Sequence, residues 1–313
     1  MTQADLKATA ALLEASGEYR VISRFHPPAA YNRSAPSAVL RTVAVIDSET
    51  TGLDAKKDKV IELGYVIARF DPATGQVFEI VSRHSSFEDP GFPLPDNIKA
   101  ITGIRDEDVC GQHFDDALIE NELAGVDLIV AHNAPFDRAF LEARFPFMQH
   151  LWWACSQREA PWSVMQTGST KLEWLVHHLL RLFYDAHRAL TDAEVLLHLL
   201  ATGEHDGHTL LFALLQESRK RTYRVWALHS PYDMKDTLKA EMKYKWSDGT
   251  DPDLPFKAWY KDAVTDIAAE AEMLAERIYP ADAMIPIDEF SGRERYSNRV
   301  ARRFDFPVSR VKP

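Results

Sequence analysis

The stretch VIDSETTGL, residues 45–53, decides the fold, because it joins an apolar run to a turn through two carboxylates. Residues 42–46 read as a short buried strand, and in a strand positions i and i+2 share a face, so Asp47 and Glu49 point to the same side. Two acids side by side at a strand end repel one another unless solvent or cations compensate. A divalent ion bound through hard oxygens is one compensation. An exposed strand end entering an Asx or Gly turn is the other, and DxE alone does not choose between them.

Two further segments place acids at strand-to-helix corners. In AHNAPFDRAFL, residues 131–141, Asp137 follows an apolar strand expected over 127–131, and Pro135 suits the first turn of a helix over 133–145. A helix N-terminus favours a carboxylate, so Asp137 reads either as an acid serving the helix end or as a functional one. In DAHRALTDAEVLLHLL, residues 185–200, His187 stands five positions before Asp192, and a helix over 191–200 takes Thr191 as its N-cap. An imidazole, with an ordinary pKa of about 6.5, can accept a proton at neutral pH beside activated water; a partly buried histidine bonded to a local carbonyl is the alternative.

Around these segments the pattern is mixed. Residues 60–70 and 77–82 are strand-like, with turn signals at Asp71-Pro72 and Thr74-Gly75 between them. A short helix near Ile98, a helix over 115–123 and a helix over 171–183 follow. Strands first and helices interleaved afterwards predict an α/β fold, a mixed sheet flanked by helices. Residues 1–42 read as an extension: a helix over 6–14, an extended piece over 19–25 and a Pro/Ala/Ser-rich linker over 26–37. Beyond the α/β segment, over 203–313, a strand at 223–229, a helix at 231–241, a hairpin of 243–246 with 257–261 and a helix at 262–279 predict a small α+β module with a basic tail.

Composition narrows the classes. A chain of 313 residues with 46% hydrophobic composition predicts about two domains. No run of about 18 apolar residues occurs, so membrane spanning is not expected. The first 30 residues carry Asp5, Glu14 and Glu18 and no basic region ahead of an apolar stretch, so a signal peptide is not expected either. Cys110 and Cys155 are the only cysteines and lack metal-ligand spacing, which fits a reducing cytoplasm. Net charge is −11, which opposes coating of nucleic acid by bulk positive charge. The acid is concentrated: residues 43–204 carry 13 basic and 26 acidic side chains, whereas 1–42 are net +2 and 205–313 net zero. TGSTK, residues 167–171, lacks the order of a phosphate loop and reads as a loop before a helix, and the adjacent His177 and His178 have no partner at i+4.

Taken together, DSETTG, HNAPFD and HRALTD resemble the three motifs of the DnaQ-like DEDDh 3′-to-5′ exonucleases, relatives of the proofreading epsilon subunit, in order and spacing over about residues 43–202. The linking stretches VIELGYVIARFDPATGQV, LPDNIKAITGI and KLEWLVHHLL resemble the family too. The resemblance implies an RNase H-like core that hydrolyses nucleic acid, DNA by preference, from the 3′ end to nucleoside monophosphates, with a place in replication proofreading or repair and a DNA polymerase or similar protein as partner. An RNA-trimming enzyme and a non-catalytic polymerase-bound adaptor are the rivals. It implies two Mg²⁺ or Mn²⁺ ions about 4 Å apart, with Asp47 bridging both, Glu49 and Asp192 completing the first site, Asp137 helping at the second and His187 as base. Thr50, Thr51, Gly52 and Leu53 would line the pocket of the terminal nucleotide, and His132, Asn133 and Phe136 would neighbour the penultimate one, although Phe136 fits the core equally well.

The stretch DTLKAEMKYKWSDGTDPDLPFKAWYK, residues 236–261, resembles a small module accompanying some bacterial DnaQ-like proteins, with Lys243 where a glycine is expected. Lys243, Lys245, Lys257 and Lys261 interleave with Tyr244, Trp246, Trp259 and Tyr260, either as a stacking surface for single strands or as a small sheet with aromatic core and outward lysines. Arg293, Arg295, Arg299, Arg302, Arg303 and Arg310 form the basic tail.

Overall fold

β-Branched and apolar residues bury both faces of β1 (Arg41–Thr50), and the computed structural model, which describes residues 2–32 and 39–309, sets this strand in the middle of a five-stranded sheet. β2 (Val60–Phe70) pairs antiparallel with β1 from Arg41↔Phe70 to Thr50↔Val60, with every position but Arg69 buried. β3 (Val77–Phe87) runs antiparallel to β2 and exceeds the six residues expected, continuing through a half-exposed second half. The turn between them is closed by Asp71, whose carboxylate accepts from the Ala73 nitrogen at 2.8 Å and the Thr74 hydroxyl at 3.1 Å. On the other side of β1 come β4 (Leu128–Ala131) and β5 (Trp153–Cys155), both parallel, giving the order β3-β2-β1-β4-β5. This is the mixed sheet expected, with helices α1 (Asp116–Leu123), α2 (Ala134–Arg144) and α3 (Ala189–Thr202) interleaved.

Helix α3 packs on β1 and β2, and glycine is required where they cross, since a Cβ on Gly64 would run into the backbone nitrogen of Leu190. Val195, Leu196 and Leu199 of α3 share one core with Val43, Val45, Val66 and Leu128 of the sheet. The following helix, α4 (Leu210–Ser218), adds Leu210, Leu211, Leu214 and Leu215 to the same core. For that reason the chain divides into compact units of residues 1–217 and 218–313, later than the boundary expected at 202/203.

Other expectations change. Thr191 does not cap α3: the helix starts at Ala189 with Arg188 in the cap position. The helix expected over 171–183 is Leu172–Leu175 continued by a π turn over Val176–Leu180; it stops at Arg181, whose φ is 53°. Beyond it Leu182 and Phe183 pair in parallel with Ser23 and Arg24, the paired part of the extended piece expected over 19–25. The N-terminal segment is more than an appendage, because Phe25 is buried in the first core and Tyr31 packs against it. Residues 33–37 of the expected linker lie outside the described residues.

The second unit is a five-stranded antiparallel sheet built from β6 (Thr222–Ala227), β7 (Lys245–Asp248), β8 (Lys257–Val264), β9 (Ala283–Phe290) and β10 (Arg302–Val308), in the order β7-β8-β6-β9-β10. Helix α5 (Ile267–Arg277) covers one face through Ala271, Leu274 and Ala275 and is shorter at its start than expected. Residues 231–241 form short 3₁₀ and π turns instead of one helix. The basic tail is corrected most: Arg302 and Arg303 lie in β10, Arg295 is buried with its guanidinium on the carbonyls of Ser218 and Lys220, and Arg310 lies outside the described residues. Tyr244 and Tyr260 are buried, whereas Trp246 is half exposed and packs edge-on against Trp259, with ring centroids 5.4 Å apart. Lys243 adopts a left-handed φ of 63°, the conformation for which glycine is favoured.

Candidate active site

The end of β1 sets the geometry. In register with β2, Asp47 lies opposite Gly64 and Glu49 opposite Glu62, so the two first-motif acids and a third carboxylate crowd one end of the sheet. Asp192 arrives from the first turn of α3. Carboxylate oxygens of Asp47, Glu49 and Asp192 all lie within 4.8 Å of one another, the one group among the described residues with the spacing of a metal site. Asp137 is 2% exposed and its Oδ1 accepts hydrogen bonds from the Ser48 nitrogen at 3.1 Å and the Ser48 hydroxyl at 2.8 Å. Its carboxylate therefore turns across to β1, onto Ser48, which stands between Asp47 and Glu49 in sequence.

Burial and mutual repulsion dominate the electrostatics. Burial, then the charges of Asp137, Asp192, Glu49 and Glu62, hold the Asp47 carboxyl well above the ordinary range. Glu49 is pushed up to about 8 by burial and then by Asp192, Glu62 and Asp137, with Arg188 opposing. Burial lifts Asp137 to about 7 despite the stabilising bonds from Ser48. Asp192 is also raised by burial, against hydrogen bonds from Tyr184, Arg188 and His187. Acids that cannot all ionise together are the donor set a hard divalent cation satisfies, and the residues present fit such an ion.

Asp192 is held firmly. Its Oδ2 accepts from the backbone nitrogens of His187 at 2.8 Å and Arg188 at 3.2 Å, and its Oδ1 from the Tyr184 hydroxyl at 2.9 Å. His187 itself is exposed, with a left-handed φ of 66°, so it is not the buried, carbonyl-bonded histidine that was the alternative. Thr50 and Thr51 are buried and bonded into the loop, Thr50 to the Gly52 carbonyl at 2.6 Å and Thr51 to Asp58 at 3.3 Å. Gly52 backs onto the Asp58 carboxylate, where a Cβ would collide with it. Leu53 is 86% exposed. His132 bridges the Ser156 hydroxyl at 2.8 Å and the Thr170 carbonyl at 2.7 Å, and burial lowers its pKa to about 4. Asn133 starts α2 in a left-handed conformation, and Phe136 is half-buried against Phe140.

Four residues next to the cluster escape sequence reasoning: Ser48, Tyr184, Glu62 and Arg188. Glu62 is 1% exposed, faces Glu49, and accepts from the Arg188 guanidinium at 3.1 to 3.3 Å and from the Ala189 nitrogen at 3.3 Å. A lone acid inside the apolar run VIELGYVI was the available signal, since a buried charge requires a partner.

Comparison with known proteins bears on the first unit. The family model RNase_T, described as exonuclease, matches residues 44–200. The PolC-type DNA polymerase III of Listeria monocytogenes is 37% identical over 120 residues, 38% of this chain and 8% of that protein. The PolC-type enzyme of Halalkalibacterium halodurans is 33% identical over 184 residues, 55% of this chain and 12% of that protein. The matched stretch thus spans about a tenth of these relatives. Among solved structures, exonuclease X in complex with 5′-overhanging duplex DNA is 22% identical, with a TM-score of 0.40 over 55% of this chain and 99% of that one. E. coli exonuclease I with an oligonucleotide is 15% identical, with a TM-score of 0.41 over 59% of this chain and 48% of that one.

Proposed function

The chain belongs to the exonuclease family of the RNase_T model, with DnaQ-like DEDDh motifs over residues 44–200, and from that premise we propose that it is a divalent-metal-dependent 3′-to-5′ exonuclease acting on DNA ends. The observation that carries this reading is the convergence of Asp47, Glu49 and Asp192 within 4.8 Å, with Asp137 beside them. Asp47, Glu49 and Asp192 would hold the ion most directly, with Asp137 assisting. When bound there, Mg²⁺ or Mn²⁺ would neutralise charge building on the phosphodiester and would make water a stronger acid.

The chain's own residues do the rest. His187, exposed at the rim and linked through its backbone to Asp192, accepts the proton of the attacking water. Water adds to phosphorus, the bond to the 3′ oxygen breaks, that oxygen takes a proton from solvent to become the new 3′ hydroxyl, and a nucleoside 5′-monophosphate departs from a strand shorter by one. Tyr184 and the two backbone nitrogens fix the Asp192 carboxylate. Leu53, exposed on a loop braced by Asp58, would wedge against the terminal base. No helix among the described residues is long and apolar enough to cross a membrane. A role with a replicative polymerase in proofreading or repair is part of this proposal, drawn from the PolC-type relatives.

Digestion of 5′-labelled single-stranded DNA, duplex DNA and RNA with Mg²⁺, Mn²⁺ or EDTA tests the reading. Shortening from the 3′ end that EDTA stops is expected, fastest on DNA. Faster trimming of RNA would replace the substrate assignment, and no metal-dependent shortening of any of the three would leave only a binding role.

A further inference from the structure

Glu62 and Arg188 stand beside the acids without belonging to the metal-ligand set, and their bonds have an unusual distribution. Two nitrogens of the Arg188 guanidinium, Nε and Nη2, contact the Glu62 carboxylate at 3.1 to 3.3 Å. The same carboxylate accepts from the Ala189 nitrogen at 3.3 Å, while the Arg188 and His187 nitrogens both turn to Asp192 Oδ2. Three consecutive residues, His187 to Ala189, are therefore tied to two carboxylates on different elements, one on β2 and one on α3. The junction bends through His187 in the left-handed region, which is costly for a residue with a Cβ and persists only where the surroundings enforce it. Phe87 lies under the guanidinium, 5.5 Å from its carbon, and Gly64 two residues along β2 allows α3 to approach.

We propose that the Glu62–Arg188 pair is a positioning device for His187: the buried acid of β2 grips a planar guanidinium fork and thereby fixes the strained backbone that presents the imidazole to the attacking water. This rests on the exonuclease reading above. Arginine suits the task because its fork sets direction as well as charge, which a lysine ammonium does not. The buried Glu62 charge helps to raise the Glu49 carboxyl and Arg188 opposes that rise, so the pair also offsets part of the repulsion at the site.

The test uses full-length protein and labelled single-stranded DNA, with kcat and KM measured separately. R188K, which keeps the charge and loses the fork, and R188M should each lower kcat about 10- to 100-fold, the usual cost of removing a partner that orients a functional group, while KM and the Mg²⁺ dependence stay within about twofold. Introduced into H187A, either change should cost almost nothing more, because the group being oriented is gone. A full additional loss in the H187A background, or a normal kcat in R188K, overturns the proposal, the latter by reducing the arginine to a point charge. A rise in KM at unchanged kcat overturns it in favour of a substrate-phosphate contact. Should R188M melt early, R188K carries the test alone. An H187A variant with normal turnover also overturns it, by leaving no base to position, whereas an inactive wild type would instead refute the exonuclease reading.

Discussion

Buried acids occur in both units of the chain, and what surrounds them differs. In the second unit Asp288 is fully buried, yet Arg303 contacts both its oxygens at 2.5 and 3.0 Å and the Trp226 indole donates to it at 2.8 Å. Glu289 meets Arg221, and Glu270 meets Lys261 at 2.7 Å and the Tyr244 hydroxyl at 2.9 Å. In the first unit Asp47, Glu49, Asp137 and Asp192 face one another, and their hydrogen bonds come from serine, tyrosine and backbone donors. The second unit carries these counter-charges in its own sequence; the four-acid cluster of the first leaves its charge to be balanced from outside. Glu62 shows that the first unit can supply an internal cation when a structural acid needs one.

The sharpest way to break this contrast is at the acids. Asp47→Ala or Asp192→Ala is expected to abolish metal-dependent release of mononucleotides while leaving the fold intact, and Asp47→Ala should leave the metal-free fold at least as stable, because a repelling charge is removed. Near-normal turnover in either variant, measured beside a melting curve, would end the metal assignment. His187→Ala should lower turnover by roughly 10² to 10⁴ without comparable loss of metal binding, and a pH–rate profile unchanged in shape would remove its role as base. Gly64→Ala alters no acid, yet it should cost activity by displacing the start of α3 from β2; wild-type rates would mean that the helix tolerates the shift.

In the second unit, Arg303→Met strands a buried Asp288. Breaking a buried pair typically costs 3–5 kcal/mol, and because Arg303 is 39% exposed about 2 kcal/mol is expected by denaturant titration, with no dependence on divalent metal. An effect on metal affinity would erase the distinction between the two kinds of buried acid. The remaining effect concerns pH. Glu49 and Asp137 bind protons more tightly in the folded chain than in the unfolded one, with pKa values of about 8 and about 7. Their contribution to stability is present below the ordinary carboxylate range and is lost as pH rises towards 8. The metal-free melting temperature should therefore fall between pH 5 and 8, by roughly 2–4 °C for each kcal/mol lost, and Mg²⁺ should stabilise more at pH 8 than at pH 5. A flat profile would mean that the acids ionise freely without a cation.

Much of the first unit was legible because its strands are apolar, β-branched and bounded by turn residues; β2 begins and ends where its pattern does. The acids were legible because strand and helix periodicity put them at element ends. Their partners were not: Ser48 reaches Asp137 across 89 positions and Tyr184 reaches Asp192 across 8 through a folded loop, while Arg188 reaches Glu62, itself unforeseen, across 126. β9 and β10 were missed because Pro286 and Pro307 interrupt runs rich in charge. The sheet tolerates both: β6 pairs with β9 only from Ile287 onward, and β10 is an edge strand. The three-residue β5 and the two-residue pairing of Ser23–Arg24 are too short to leave a periodic trace.

That short parallel pairing joins parts of the chain that are made far apart in time. Arg24 meets Asp185 across 161 positions, and the Glu62–Arg188 contact spans 126. Contacts so distant along the chain form late, after nearer ones have lowered the entropy of closing the loop. On a ribosome, the strand bearing Asp47 emerges long before the helix bearing Asp192, so the unfinished chain holds half a set of acids and no nuclease. The full set of acids therefore waits for the segment after Arg181, which pairs with Ser23 and Arg24 and carries Asp192 to the sheet.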